Sequence, residues 1–209
     1  MANDSSSSGY LQPNPAPGPL EGQELQRFVQ QVVVGLTGLA GPLVVPYWQT
    51  EPPDTPQDAT CWVAVMIGRQ PADTFPFVGQ YPWRAALSGD QSDQSYYFQR
   101  HESLEIACSV YDLGSNGLAD HYAALLRDNL AIPQNREILT LAGMGLKTVG
   151  DLVNVPSIFK TRWRYRVDFP FTINRQIDRI YPVLTLKAAN GLLYFDNGLP
   201  PQPFTASTT

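Results

Sequence analysis

Apolar and polar residues alternate from Phe159 to Asn174. Phe159, Thr161, Trp163, Tyr165, Val167, Phe169, Phe171 and Ile173 fall on one side; Lys160, Arg162, Arg164, Arg166, Asp168, Thr172 and Asn174 fall on the other. A period of two marks a β-strand with one face turned to a core. The pattern predicts a strand over 159–174 that continues towards Tyr181. Ordinary strands run about 5–6 residues, so this one dictates a sheet to which the remaining elements must conform. Its aromatic side, with Trp163, Tyr165, Phe169 and Phe171, reads as core rather than as a ligand cage. So long a strand outruns the body of its own domain, and its exposed edge groups need cover. That need argues for a stable oligomer or a docking arm.

The other elements follow from shorter patterns. Leu25, Phe28, Val29, Val32 and Leu36 repeat at helical spacing. They predict an amphipathic helix over 21–38, with Glu21 and Glu24 at its start and Gly38, Gly41 and Pro42 at its stop. Short strands are expected at 43–48 and 146–153. Residues 60–68 are apolar on both sides, as a central strand would be. Residues 69–95 show no clear period and read as a long loop. A second long strand covers 96–111, with Leu104, Ile106, Cys108 and Val110 on one face. A turn at 112–117 leads into a helix over 117–130, and Pro133 opens another that ends at Gly143 or Gly145. Asn190-Gly191 reads as a type I′ turn in a C-terminal hairpin.

The fold class expected is therefore α+β: a mixed or antiparallel β-sheet with helices packed mainly on one face, plus a C-terminal hairpin or arm. Residues 21–182 form the α+β domain. Residues 1–20 carry a serine run and prolines at positions 13, 15, 17 and 19, a composition that suits a disordered or docking arm. Residues 183–209 form the C-terminal hairpin and tail. With 209 residues the chain can build one proper core.

Composition bounds the chemistry. Charged residues make up 16% and the net charge is −5, so the chain is not a generic nucleic-acid binder. No leader or membrane-length apolar run is found, which predicts a protein made and used in a cytoplasm, without a membrane. Cys61 and Cys108 sit in apolar alternating runs and read as buried free thiols. His101 and His121 lack metal-ligand spacing, and no nucleophile elbow, P-loop or dinucleotide fingerprint occurs. Asp151 and Asp168 could meet across strands, but a turn or a salt bridge explains them more simply. The expectation is no catalytic site, no metal and no cofactor.

One constellation remains. Lys160, Arg162, Arg164 and Arg166 repeat every second residue along the long strand, about 6.6–7 Å apart, and Arg175 and Arg179 extend the series. Six of the chain's 14 basic residues lie in 160–179, whereas residues 1–60 carry Asp4, Glu21, Glu24, Glu51, Asp54 and Asp58 against Arg27 alone. Three readings stay open: a solvated sheet face neutralised by cross-strand partners such as Glu105; pairing with an acidic surface of a neighbouring subunit or partner; or contact with nucleic acid.

The segments QRHESLEIACSVYD (99–112), LLRDNLAIPQNREIL (125–139), AGMGL (142–146) and RWRYRVDFPFTINRQIDRIYP (162–182) resemble the neck or tail terminator proteins of tailed bacteriophages. The resemblance runs from about Leu25 to Leu186. It implies a structural virion protein in the tail or neck, assembled in the host cytoplasm. It implies a homo-oligomeric ring, commonly hexameric, that terminates the tail tube and joins it to the head–tail connector. The partners implied are further copies of the chain, the tail tube protein, the connector or neck protein and, in contractile tails, the sheath. DNA would pass through the lumen. The runner-up is a neck or connector protein that touches DNA through the basic strand face.

Overall fold

A computed structural model describes residues 10–13, 20–47, 61–80, 96–114, 117–159, 162–181, 188–193 and 202–207. Contacts divide the chain into two units. The larger comprises Pro19–Phe75 and Arg100–Ile177; the other comprises Met1–Gly18, Pro76–Gln99 and Asp178–Thr209.

The larger unit is built on three helices and a mixed sheet. The helices are α1 (Gly22–Thr37), α2 (Leu118–Ala131) and α3 (Glu137–Leu141). The strands are β1 (Val44–Pro46), β2 (Cys61–Ile67), β3 (Phe77–Gln80), β4 (Tyr96–Asp112), β5 (Met144–Val149), β6 (Val153–Asn154), β7 (Ser157–Phe159), β8 (Arg162–Tyr181), β9 (Ala188–Leu193) and β10 (Gln202–Ser207). Those of the main sheet follow the order β1-β2-β4-β8-β5. β1 runs parallel to β2, and β2 runs antiparallel to β4. The class is α+β, as the alternating patterns require.

The core lies between the helices and one face of this sheet. Leu25, Val29, Val32 and Leu36 of α1 join Leu126 and Leu130 of α2 and Leu139 of α3. They pack on Cys61, Val63 and Val65, on Leu104, Ile106, Cys108 and Val110, and on Val167, Phe169, Phe171 and Ile173. Every one of those strand positions obeys the period of two. α1 stops where Gly38 takes φ 70° and donates its N–H to Val34 O at 2.9 Å, a left-handed cap that glycine adopts without penalty. Gly143 does the same after α3. The start of α2 is held by buried Asp112, which accepts N–H bonds from Gly114 and Leu118 at 2.8 and 3.1 Å.

Several expectations need correction. The long strand begins at Arg162, not at Phe159. Phe159 belongs to β7 and pairs back with Arg162; Lys160 and Thr161 fall outside the described residues. No glycine or asparagine lies between Phe159 and Arg162, which is why the run reads as continuous. Tyr165 is 56% exposed, because burial by the helices starts at Val167. Phe77–Gln80, expected within a loop, forms β3 and pairs with Tyr96–Gln99. Residues 69, 71 and 73 also hydrogen-bond along β4. Asn190-Gly191 is no turn: both residues lie inside β9, opposite Thr205 and Phe204 of β10. An antiparallel ladder from 188 to 193 outweighs the local turn preference of two residues. The second unit contains this β9–β10 pair and the β3–β4 pair. The serine and proline arm expected at the N-terminus falls largely outside the described residues.

Between β5 and β6 the chain turns against β8. Gly150 donates its N–H to Pro170 O at 2.8 Å. A Cβ added there would stand 2.6 Å from Pro170 Cγ and 2.8 Å from its carbonyl oxygen. The oxygen is backbone and can yield only if β8 moves. Gly150→Ala is therefore expected to destabilise the domain by about 1–3 kcal/mol, the usual range for overpacking. Denaturant titration would measure it, and an unchanged midpoint would refute the close approach.

Candidate interaction surface

The sheet face away from the helices carries the polar half of β4 and β8 and a small buried apolar cluster of Val45, Trp62, Ala64 and Tyr111. In that cluster Trp62 and Tyr111 stack with centroids 4.2 Å apart and an interplanar angle of 9°. The Arg166 guanidinium lies 5.6 Å from the Tyr111 ring centre, within cation–π range. Arg166 also donates from Nε and Nη2 to the two oxygens of Asp168, each at 2.7 Å. This fork geometry is the strong form of the pair. Asp168 accepts a further bond from Ser109 Oγ at 2.7 Å. The hydrogen bonds to Asp168 raise the Arg166 pKa, against a smaller opposing effect of burial. Burial raises the Tyr111 pKa, and Arg166 partly offsets it.

The basic series thus divides. Lys160 and the Arg162 side chain lie outside the described residues; Arg162 opens β8. Arg164 is half-buried, opposite Ser157. Arg166 is matched by Asp168, two residues along its own strand, and not by Glu105 across the sheet. Arg175 does not extend the series. It shares the parity of Phe169, Phe171 and Ile173, and it is buried at 5% exposure. There it forms an ion pair with buried Glu102 and donates to Leu20 O. Arg179 has the parity of Arg175, is half-buried and belongs to the second unit. The run of cations on one face is shorter than the sequence spacing alone suggests.

Sequence reasoning also missed a polar relay on the same sheet face. Lys147 Nζ donates to Ser103 Oγ at 3.1 Å, and Ser103 Oγ donates to Asn174 Oδ1 at 2.8 Å. The parity of Ser103 and Asn174 was legible, but the pairing of β4, β8 and β5 was not. A serine beside a lysine can form a nucleophile–base pair. Here the exposed ammonium donates and the hydroxyl points its proton at an amide, the reverse of an activated nucleophile. Asp168 is committed to Arg166 and Ser109, while Asp151 is exposed. Among the described residues no three His, Cys, Asp or Glu side chains converge to hold a metal. No described helix is long and apolar enough to cross a membrane.

Cys61 and Cys108 are free and buried. Burial pushes the Cys61 thiol up to about 11, helped by the charge of Asp112. Burial alone pushes Cys108 up further. Since the thiolate is the reactive form, both should resist alkylation near pH 8 in the native state and react fully in denaturant. Mass spectrometry after a timed iodoacetamide pulse would show this, and rapid native labelling would contradict the burial.

The described residues thus present an α+β domain with paired charges on one face of its sheet. The chain belongs to the family of phage neck terminator proteins, whose sequence model matches residues 23–198. The match covers the whole larger unit from α1 onward. It makes this chain a structural component of the phage neck, and the virion's tail and neck its location. No curated protein matches the chain.

Proposed function

We propose that this protein assembles as a ring that terminates the phage tail tube and joins it to the head–tail connector. The observation that carries this reading is the neck terminator match over residues 23–198. Physical features support it. Rings are closed by heterologous contacts between two unlike surfaces, and the charge of this chain is segregated. β8 holds residues Arg162–Tyr181, roughly 66 Å of extended chain at ~3.3 Å per residue, a length that suits a strand shared between a domain and its neighbours. Lys160, Arg162, Arg164, Arg166 and Arg179 are the candidate residues for contact with a neighbouring copy or with tube, connector or sheath protein. Arg175 acts inside the domain instead. Residues 1–20 and 183–209 serve as docking arms around the 21–182 domain. Assembly takes place in the host cytoplasm, and DNA crosses the lumen of the finished ring.

The bidentate Arg166–Asp168 pair weakens the case for DNA contact, since a carboxylate already neutralises that guanidinium. Electron cryomicroscopy of the particle neck is the direct test. A closed ring, hexameric as the family resemblance implies, is expected at the tube–connector junction. Monomeric copies, or a position elsewhere in the particle, would sink the reading. Salt-sensitive DNA affinity at about 50 mM salt, lost in an Arg162→Ala/Arg164→Ala variant, would instead support the DNA-contacting alternative.

A further inference from the structure

Between β4, β5 and β8 the larger unit has a notch of about 350 Å³, lined by His101, Ser103, Lys147, Asn174 and Arg175 among others. Its charges are unevenly matched. Arg175 is taken by Glu102. His101 Nδ1 stands 3.4 Å from Asp73 Oδ2. Lys147 alone among the notch's cations meets no carboxylate within the described residues; its partner is the neutral Ser103 hydroxyl. Asn174 has committed its oxygen to Ser103, which leaves its amide nitrogen as a further donor. An ammonium and an amide N–H beside a polar notch are matched chemically by a carboxylate.

We propose that this notch receives the carboxylate of Asp120 from a second copy of the chain. The inference rests on the ring reading and names one of its contacts. The choice of Asp120 is geometric. A ring contact must join two separated patches. Glu21 and Glu24 lie beside Leu20, whose carbonyl is bound by Arg175 at the notch itself. Asp151 follows Lys147 by four residues along the same edge. Among the other described acids, Asp128 is engaged by Arg127, Glu137 heads the helix that leads into β5 at the notch, Glu105 lies two residues from Ser103 on β4, and Asp178 belongs to the second unit. Asp120 is exposed and stands in the first turn of α2. That turn is pinned to the far end of β4 by Asp112. From Ser103 to Asp112 the strand covers roughly 30 Å at ~3.3 Å per residue. A rigid acid at one end of the sheet and an unmatched ammonium towards the other suit a head-to-tail contact.

The test uses charge exchange and cross-linking in the full chain, read in assembled particles and in solution. Lys147→Glu and Asp120→Lys should each lower ring incorporation about tenfold or more, a loss equivalent to ~1.4 kcal/mol. The double variant should restore it, because each contact then pairs the exchanged charges. In a Lys147→Cys/Asp120→Cys chain, oxidation should give a ladder of covalent multimers. The ~30 Å of strand between the two ends is far beyond disulfide reach within one chain, and native Cys61 and Cys108 are buried. If single variants assemble like wild type, or no multimers form, this contact is wrong while the ring stands. If Lys147→Glu blocks assembly but the double variant does not rescue it, the notch serves a different protein and the assignment to a second copy fails. Absence of any wild-type ring would overturn the ring reading itself.

Discussion

Glu102→Ala is expected to lower the unfolding free energy by about 3–5 kcal/mol, the usual result of removing one partner from a buried ion pair. Glu102 and Arg175 are 6% and 5% exposed. Glu102 receives Arg175 and also Arg100, the latter at 3.3 Å. Deleting the carboxylate leaves the Arg175 guanidinium at the edge of the core without its counter-charge. Arg175 also holds the Leu20 carbonyl at the start of α1, so the loss should loosen the segment that leads into the domain. A Glu102→Leu/Arg175→Met chain provides the control. Two apolar groups of similar volume replace a buried pair at little cost or with a gain. The double variant should therefore be more stable than Glu102→Ala. Urea titrations of the three chains would decide it. A small loss in Glu102→Ala, below about 1 kcal/mol, would mean that the pair is solvated as surface pairs are.

The same pair shows where sequence reading stops. The period of two in β8 located Val167, Phe169, Phe171 and Ile173 in the core, and the helical stripe of α1 located Leu25, Val29, Val32 and Leu36. Both patterns are local, and both survive in the fold because burial acts on each residue separately. Arg175 has core parity, but charge alone reads as surface; only Glu102, 73 residues away, makes it tolerable there. The sequence offers no glycine or asparagine between Phe159 and Arg162, so β7 and β8 read as one strand. Asn190-Gly191 has the turn signal, yet its partner strand lies at Gln202–Ser207. The relay from Lys147 to Asn174 needs three strands in register. Each miss is a long-range pairing that no local pattern encodes. The basic series was half legible: its spacing is correct from Arg162 to Arg166, but Asp168, visible two residues on, neutralises its last member.

Phe169→Ala should be the most damaging change to a single apolar residue, costing about 3–5 kcal/mol. Phe169 is fully buried, and its ring stacks near Phe171 with centroids 5.9 Å apart. It sits on β8 between Val167 and Phe171, on the face where α1, α2 and α3 converge. Truncation loses the transfer energy of the ring and leaves a cavity that a sheet in the middle of its order cannot close by moving one strand. β8 lies between β4 and β5 in that order, so any collapse must drag both. Phe169→Leu, which keeps most of the volume, should cost less, within the range of tolerated apolar exchanges. The stability loss has a functional reading too. Arg166 and Asp168, on the open face, are positioned by the strand that Phe169 anchors from below. If the open face makes contacts in the neck, Phe169→Ala should reduce incorporation into particles through loss of folded protein, and lower temperature should partly restore it. Thermal unfolding measured beside particle yield separates the two effects. Equal stability of Phe169→Ala and wild type would refute the placement of this residue in the core.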